Sequence, residues 1–168
     1  SLPWGDLAAW EAYFRDHGRE TAAAVVACSY GDMEQGRAFL PAVRALTAQS
    51  GTLLVMDEIV TGFRLALGGA QEYFKVTADM AVVGKGMANG MPIAAYVGRA
   101  GLIDSAREVG ITTTFGGETL ALAATKAAIA FYRAHDVTGY LWRAGTDLWG
   151  RARTLIRQHR YPLELKGL

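Results

Sequence analysis

From Leu7 to Phe14 apolar residues recur at helical spacing behind Asp6. Asp is a residue type that caps helix N-termini, so a helix is predicted there. Thr21 to Cys28 is an apolar run of strand length, and Gly31 to Gly36 is polar and loop-like. Phe39 to Leu46 predicts a second helix, with Pro41 in its first turn and Gly51 as its stop. Thr52-Leu53-Leu54-Val55-Met56 is continuously apolar between a glycine and two charges, the pattern of a parallel strand buried on both faces. Gly68 to Phe74 predicts a short helix. Met80 to Val83 predicts a second buried strand, closed by Gly84-Lys85-Gly86, and Ile93 to Val97 a third, after the Gly90-Met91-Pro92 turn. Two long helices follow, Glu118 to Ala134 and Val137 to His159. In the second, Leu141, Leu148, Leu155 and Trp142, Trp149, Ile156 recur every seven residues and share one stripe. This alternation of strands and helices predicts an α/β fold, a mostly parallel sheet flanked by helices.

Composition narrows the chemistry. At 168 residues, 51% of them apolar, the chain is long enough to bury a core. Its single cysteine, Cys28, excludes a disulfide scaffold and a cysteine-rich zinc site. His17, His135 and His159 lack metal-ligand spacing, so no metal site is expected. A net charge of +1 gives no general attraction for nucleic acid or membrane surfaces. The charge is uneven, and basic residues dominate after residue 125. Arg151, Arg153, Arg157 and Arg160 fit the solvent face of a helix better than a nucleic-acid site. No apolar run reaches the roughly 18–20 residues of a membrane span, and the first residues lack a signal-peptide layout. A cytoplasmic location is expected.

Two predicted strands end in ionisable groups of opposite sign. In open α/β sheets ligands sit beyond the carboxyl ends of the strands. The first strand ends in Asp57-Glu58, and the second in Lys85 between two glycines. If the strands are parallel, both groups reach one edge. A lysine there, flanked by glycine and open space, has what a Schiff-base nucleophile needs once its amine is neutral. A buried carboxylate beside it suits the protonated ring nitrogen of pyridoxal phosphate. Walker-type phosphate binding uses similar residues, but the details fail. Gly86 stands where the required Ser or Thr would follow the lysine, Asp79 stands at the first glycine position, and the lysine comes after the carboxylates. A dinucleotide loop is disfavoured by Pro92, which falls where a phosphate-binding helix should run.

The motifs Met56-Asp57-Glu58-Ile59-Val60-Thr61-Gly62-Phe63-Arg64, Gly68-Gly69-Ala70-Gln71 and Gly84-Lys85-Gly86-Met87-Ala88-Asn89-Gly90-Met91-Pro92 resemble the class III aminotransferases. The likeness is strongest to the glutamate-1-semialdehyde aminomutase-like branch. It implies part of the large domain of a fold-type I PLP-dependent transferase, with pyridoxal 5'-phosphate as cofactor. By that likeness Lys85 is the Schiff-base lysine and catalytic residue, Asp57 partners the pyridine nitrogen, and Ile59 packs against the cofactor ring. Thr114, in Thr113-Thr114-Phe115-Gly116-Gly117, corresponds to the threonine that binds the PLP phosphate of the neighbouring subunit in a homodimer. Thr114 also precedes a strong helix, and helix N-termini bind phosphate.

The implied activity is transfer of an amino group from a small-molecule donor to a carbonyl acceptor. Aminomutase-type isomerisation and a non-catalytic truncated or dimerisation fragment stand as alternatives. Glu118-Thr119 replaces the Asn-Pro of the aminomutases and Ala88-Asn89 their extra glycine, which favours transamination. Cys28-Ser29 stands where the family has Glu-Pro. Family chains are more than twice this long. Residues 1–136 are therefore expected to be part of a PLP-binding large domain, and residues 137–168 a helix leading to a small C-terminal domain.

Overall fold

The computed structural model describes residues 1–110 and 116–166. Helix α1 (Leu7–His17) precedes strand β1 (Ala23–Ala27), followed by α2 (Gly36–Ser50), β2 (Leu53–Glu58), α3 (Gly69–Phe74) and β3 (Met80–Val83). Strand β4 (Ala95–Gly98) then leads to α4 (Ala100–Glu108), α5 (Thr119–Ala134) and α6 (Val137–His159). The sheet order is β1-β2-β3-β4; the first three strands are parallel, and β4 runs antiparallel at the edge. The predicted mostly parallel α/β architecture is therefore present.

The local signals act where the sequence places them. Asp6 accepts the Ala9 N–H at 3.0 Å and starts α1. Gly51 ends α2 in the left-handed conformation (φ 78°). Pro41 departs from expectation. Because α2 begins at Gly36, the proline lies inside the helix rather than in its first turn, where it lacks the N–H that would bond the carbonyl four residues back. Helix α4 adds to the predicted elements.

One face of the sheet carries the core. Val26, Leu54, Met56 and Ala81 pack there against Trp10 and Phe14 of α1, Phe39, Leu40 and Val43 of α2, and Ala70 and Phe74 of α3. The opposite face, with Val25, Val55, Asp57, Val82 and Tyr96, is only half-buried or exposed, and Val25 is 69% exposed. Burial on both faces of β2, expected from its continuous apolar run, is thus not found. The strand order gives the reason. Successive right-handed crossovers that step in one direction, β1 to β2 to β3, put α2 and α3 on the same side.

Asp79, buried just before β3, ties the opposite end of the sheet together. Its carboxylate accepts the Leu54 N–H at 2.8 Å and pairs with Arg44 at 2.6 Å and Arg99 at 3.3 Å. Burial pushes this carboxyl up. The Leu54 N–H, the Arg44 hydrogen bond and charge, and the Arg99 charge outweigh burial and hold it below its ordinary value. Helix α6 is anchored at its start, where Trp142 Nε1 donates to the Leu65 carbonyl at 2.9 Å and its ring stacks on Tyr73. Along its stripe Trp142, Trp149 and Ile156 are half-buried, while Leu141, Leu148 and Leu155 are exposed. No helix among the described residues is long and apolar enough to cross a membrane.

Candidate functional site

Parallel pairing brings the two charged strand ends together. In register Ala27, Asp57 and Val82 are neighbours, so Asp57 and Lys85, three residues past Val82, emerge at the same carboxyl edge. Adjacent residues alternate faces in a strand. Asp57 therefore points to the half-open face and Glu58 into the core.

Asp57 is half-buried. Its Oδ1 accepts the Ile59 N–H at 3.0 Å, which turns the chain sharply after β2. Ile59 is half-buried beside the Lys85 segment; a Cβ on Gly84 would lie 3.8 Å from Ile59 Cγ2.

Glu58 is 1% exposed and holds the next loop. Its carboxylate accepts the Thr61 hydroxyl, the Ala70 N–H at 2.8 Å and the Gln71 N–H at 2.9 Å. It thereby caps α3, and it leaves no room for a Cβ at Gly69, whose φ of 70° also favours glycine. Gln71 is structural as well, accepting the Ala78 N–H at 2.8 Å.

Lys85 is exposed and has a left-handed backbone (φ 41°), at the start of a short 3-10 turn that ends at Met87. It enters none of the ion pairs among the described residues. The turn is held by α5, whose Tyr132 hydroxyl donates to the Gly86 carbonyl at 2.8 Å; a Cβ at Gly86 would reach van der Waals distance of the Gly62 carbonyl oxygen and Phe63 Cβ. The Phe63 and Tyr132 rings stack with centroids 5.7 Å apart. Phe63 stood inside a recognised motif, but nothing in the sequence singles out Tyr132, 46 positions from its partner.

Thr114 lies outside the described residues. At the start of α5 the Glu118 carboxylate accepts the Leu120 and Ala121 N–H groups, so these two donors are satisfied by the chain itself. Cys28 belongs to the core at 4% exposure, where burial first and the Glu58 charge second push its thiol up to about 12. This gives Cys28 a packing role. Tyr30 follows on the same edge. Burial raises its hydroxyl pKa, and negative charge at Cys28, Asp57 and Glu58 adds to the rise, against a lowering effect of Arg64. A separate groove of about 290 Å³, lined by Arg64, Leu65, Leu141, Trp142, Gly145 and Thr146, includes neither Asp57 nor Lys85.

A family model described as Aminotransferase class-III matches residues 7–162. A glutamate-1-semialdehyde 2,1-aminomutase of Thermomicrobium roseum is 38% identical over 146 residues, covering 83% of this chain and 34% of that protein. The protein of the same name from Polynucleobacter necessarius is 40% identical over 129 residues, covering 73% of this chain and 30% of its own length. The chain thus spans about a third of the length of these relatives. Among solved structures, the FumI protein of Sphingopyxis sp. MTA144, in its PLP internal aldimine form, superposes with a TM-score of 0.87. That match covers 98% of this chain and 41% of FumI at 23% identity, a likeness of fold.

Proposed function

The chain belongs to the class III aminotransferase family, and on that premise we propose that the edge carrying Asp57 and Lys85 is the pyridoxal-phosphate site of an enzyme that moves amino groups. The observation that supports this most is the parallel β2–β3 register, which delivers a half-buried carboxylate and an exposed amine to one sheet edge. The residues fit the group. Lys85 has no ion-pair partner among the described residues, and Asp57 commits only Oδ1 to the Ile59 N–H.

Bound there, pyridoxal phosphate supplies an aldehyde carbon for the Lys85 amine and a ring that takes up electrons from the substrate. Lys85, released once the substrate's own amine takes its place on that carbon, would then take a proton from the substrate carbon that bears the amine and return one at the acceptor position. Asp57 holds a proton on the ring nitrogen, since a carboxylate beside it stabilises the cationic form. Ile59 packs on the ring. Thr114 binds the phosphate of a neighbouring subunit in a homodimer. Small-molecule amino donors and carbonyl acceptors are the substrates, and the cytoplasm is the location. Residues 1–136 form part of the cofactor-binding domain, and α6 leads from it towards a further domain. Turnover needs groups beyond this chain.

A second reading, 1,2-amino migration, is favoured by the names of the aminomutases at 38–40% identity. Glu118-Thr119 and Ala88-Asn89 favour transfer between two molecules. The test is titration of the chain with pyridoxal phosphate, followed by visible absorption. Wild type should develop a band that Lys85→Ala lacks, and Asp57→Asn should shift it. A band of equal strength in Lys85→Ala would remove the assignment.

A further inference from the structure

We propose that Tyr132 is a positioning residue for Lys85: its hydroxyl fixes the Gly86 carbonyl and so holds Lys85 in the left-handed conformation that presents its side chain at the sheet edge. The inference rests on the role proposed above for Lys85.

A φ of 41° is unfavourable for any residue with a Cβ, so something outside Lys85 must hold it. The neighbours do not, because Gly84 and Gly86 are the residues freest to relax. Within the turn, the Met87 N–H bonds the Gly84 carbonyl at 2.9 Å, and the Asn89 N–H bonds the Lys85 carbonyl at 3.1 Å. The Gly86 carbonyl, directly after Lys85, is held instead by Tyr132 at 2.8 Å. The opposite side does not hold the turn, since a Cβ on Gly86 would still fit there at van der Waals distance, 3.4 Å from the Gly62 carbonyl oxygen and 3.5 Å from Phe63 Cβ. Phe63 is also left-handed (φ 60°), and the loop before it is tied through Thr61 to Glu58. The Gly86 carbonyl is thus tied to the rest of the fold by one hydroxyl of α5, which can be removed alone.

Tyr132→Phe deletes that oxygen and keeps the ring on Phe63. Two measurements on the 168-residue chain test it, with Tyr140→Phe, an exposed tyrosine, as control. The first is amide hydrogen exchange. Protection at Met87 and Asn89 should fall about three- to tenfold, the worth of one hydrogen bond, while β2 amides stay unchanged. The second is the yield of borohydride-stable pyridoxal phosphate adduct on Lys85, at a concentration that half-labels wild type. It should fall by a similar factor.

A Tyr132→Phe adduct yield equal to wild type overturns the proposal, whatever the exchange result. A fall accompanied by equal loss of protection throughout β2 also overturns it, because the effect is then general unfolding. If wild type itself forms no Lys85 adduct, the proposed role of Lys85 fails. The exchange arm then still shows whether Tyr132 holds the turn.

Discussion

Glu58→Gln should be among the most damaging conservative substitutions in the chain. The carboxylate takes three donors on two oxygens: Thr61 and Ala70 on Oε2, and Gln71 on Oε1. A glutamine has one acceptor oxygen. If it faces Thr61 and Ala70, its NH₂ group meets the Gln71 N–H, and two donors confront each other in a site 1% exposed. One charge-assisted hydrogen bond is lost, worth about 1.5–3 kcal/mol, and the remaining bonds are weakened because the acceptor is no longer charged. We expect a loss of about 2–3 kcal/mol, a large share of the roughly 5–15 kcal/mol that holds a domain folded. Urea unfolding followed by circular dichroism reads this directly. With a slope of about 2 kcal/mol per molar, the midpoint should drop by about 1 M. Thr61→Val removes one donor and should cost about 1 kcal/mol. The double variant should lose less than the sum, since both changes act on one network. A Glu58→Gln midpoint within about 0.2 M of wild type would refute the view that Glu58 organises the loop between β2 and α3.

Asp79 is held below its ordinary value of 3.8, so its contribution is fully present above that pH and disappears as pH falls towards the folded-state value. In urea midpoints measured from pH 6 to pH 2, the gap between wild type and Asp79→Asn should therefore close on the acid side. The Cys28 thiol, raised to about 12, should resist iodoacetamide at pH 8 until urea exposes it; its linked contribution to stability should fall as pH rises above 9, where only the unfolded chain ionises it. Gly69→Ala meets both a positive φ and the Glu58 carboxylate and should lower the melting temperature by several degrees, whereas Gly150→Ala, inside α6 with open space around it, should raise it slightly.

Much of the architecture was legible because its signals are local. Asp6, Gly51 and the apolar run before Asp57 mark α1, the end of α2, and β2 through capping, left-handed geometry and hydropathy. Asp57 and Lys85 could be paired because parallel strands share an edge, a rule that needs only the strand assignments. Long-range contacts were not legible. Which face of β2 stays open depends on crossover handedness repeated twice. The partners of Asp79 come from α2, β2 and the end of β4, and the grip on Gly86 comes from Tyr132 on α5. Glu58 was visible as part of a motif, yet its work is done on amides 12 and 13 positions away. The Cys28 substitution acquires a physical account only once its burial is known.

The most direct test of the central claim is where a borohydride-fixed pyridoxal phosphate label lands. The chain contains four lysines, and Lys75, Lys126 and Lys166 serve as internal controls for surface reaction. Peptide mapping should place the label on Lys85 with clear preference over the other three, and Asp57→Asn should reduce that preference. A label spread evenly over all four, or unchanged by Asp57→Asn, would contradict the assignment of this sheet edge as a cofactor site.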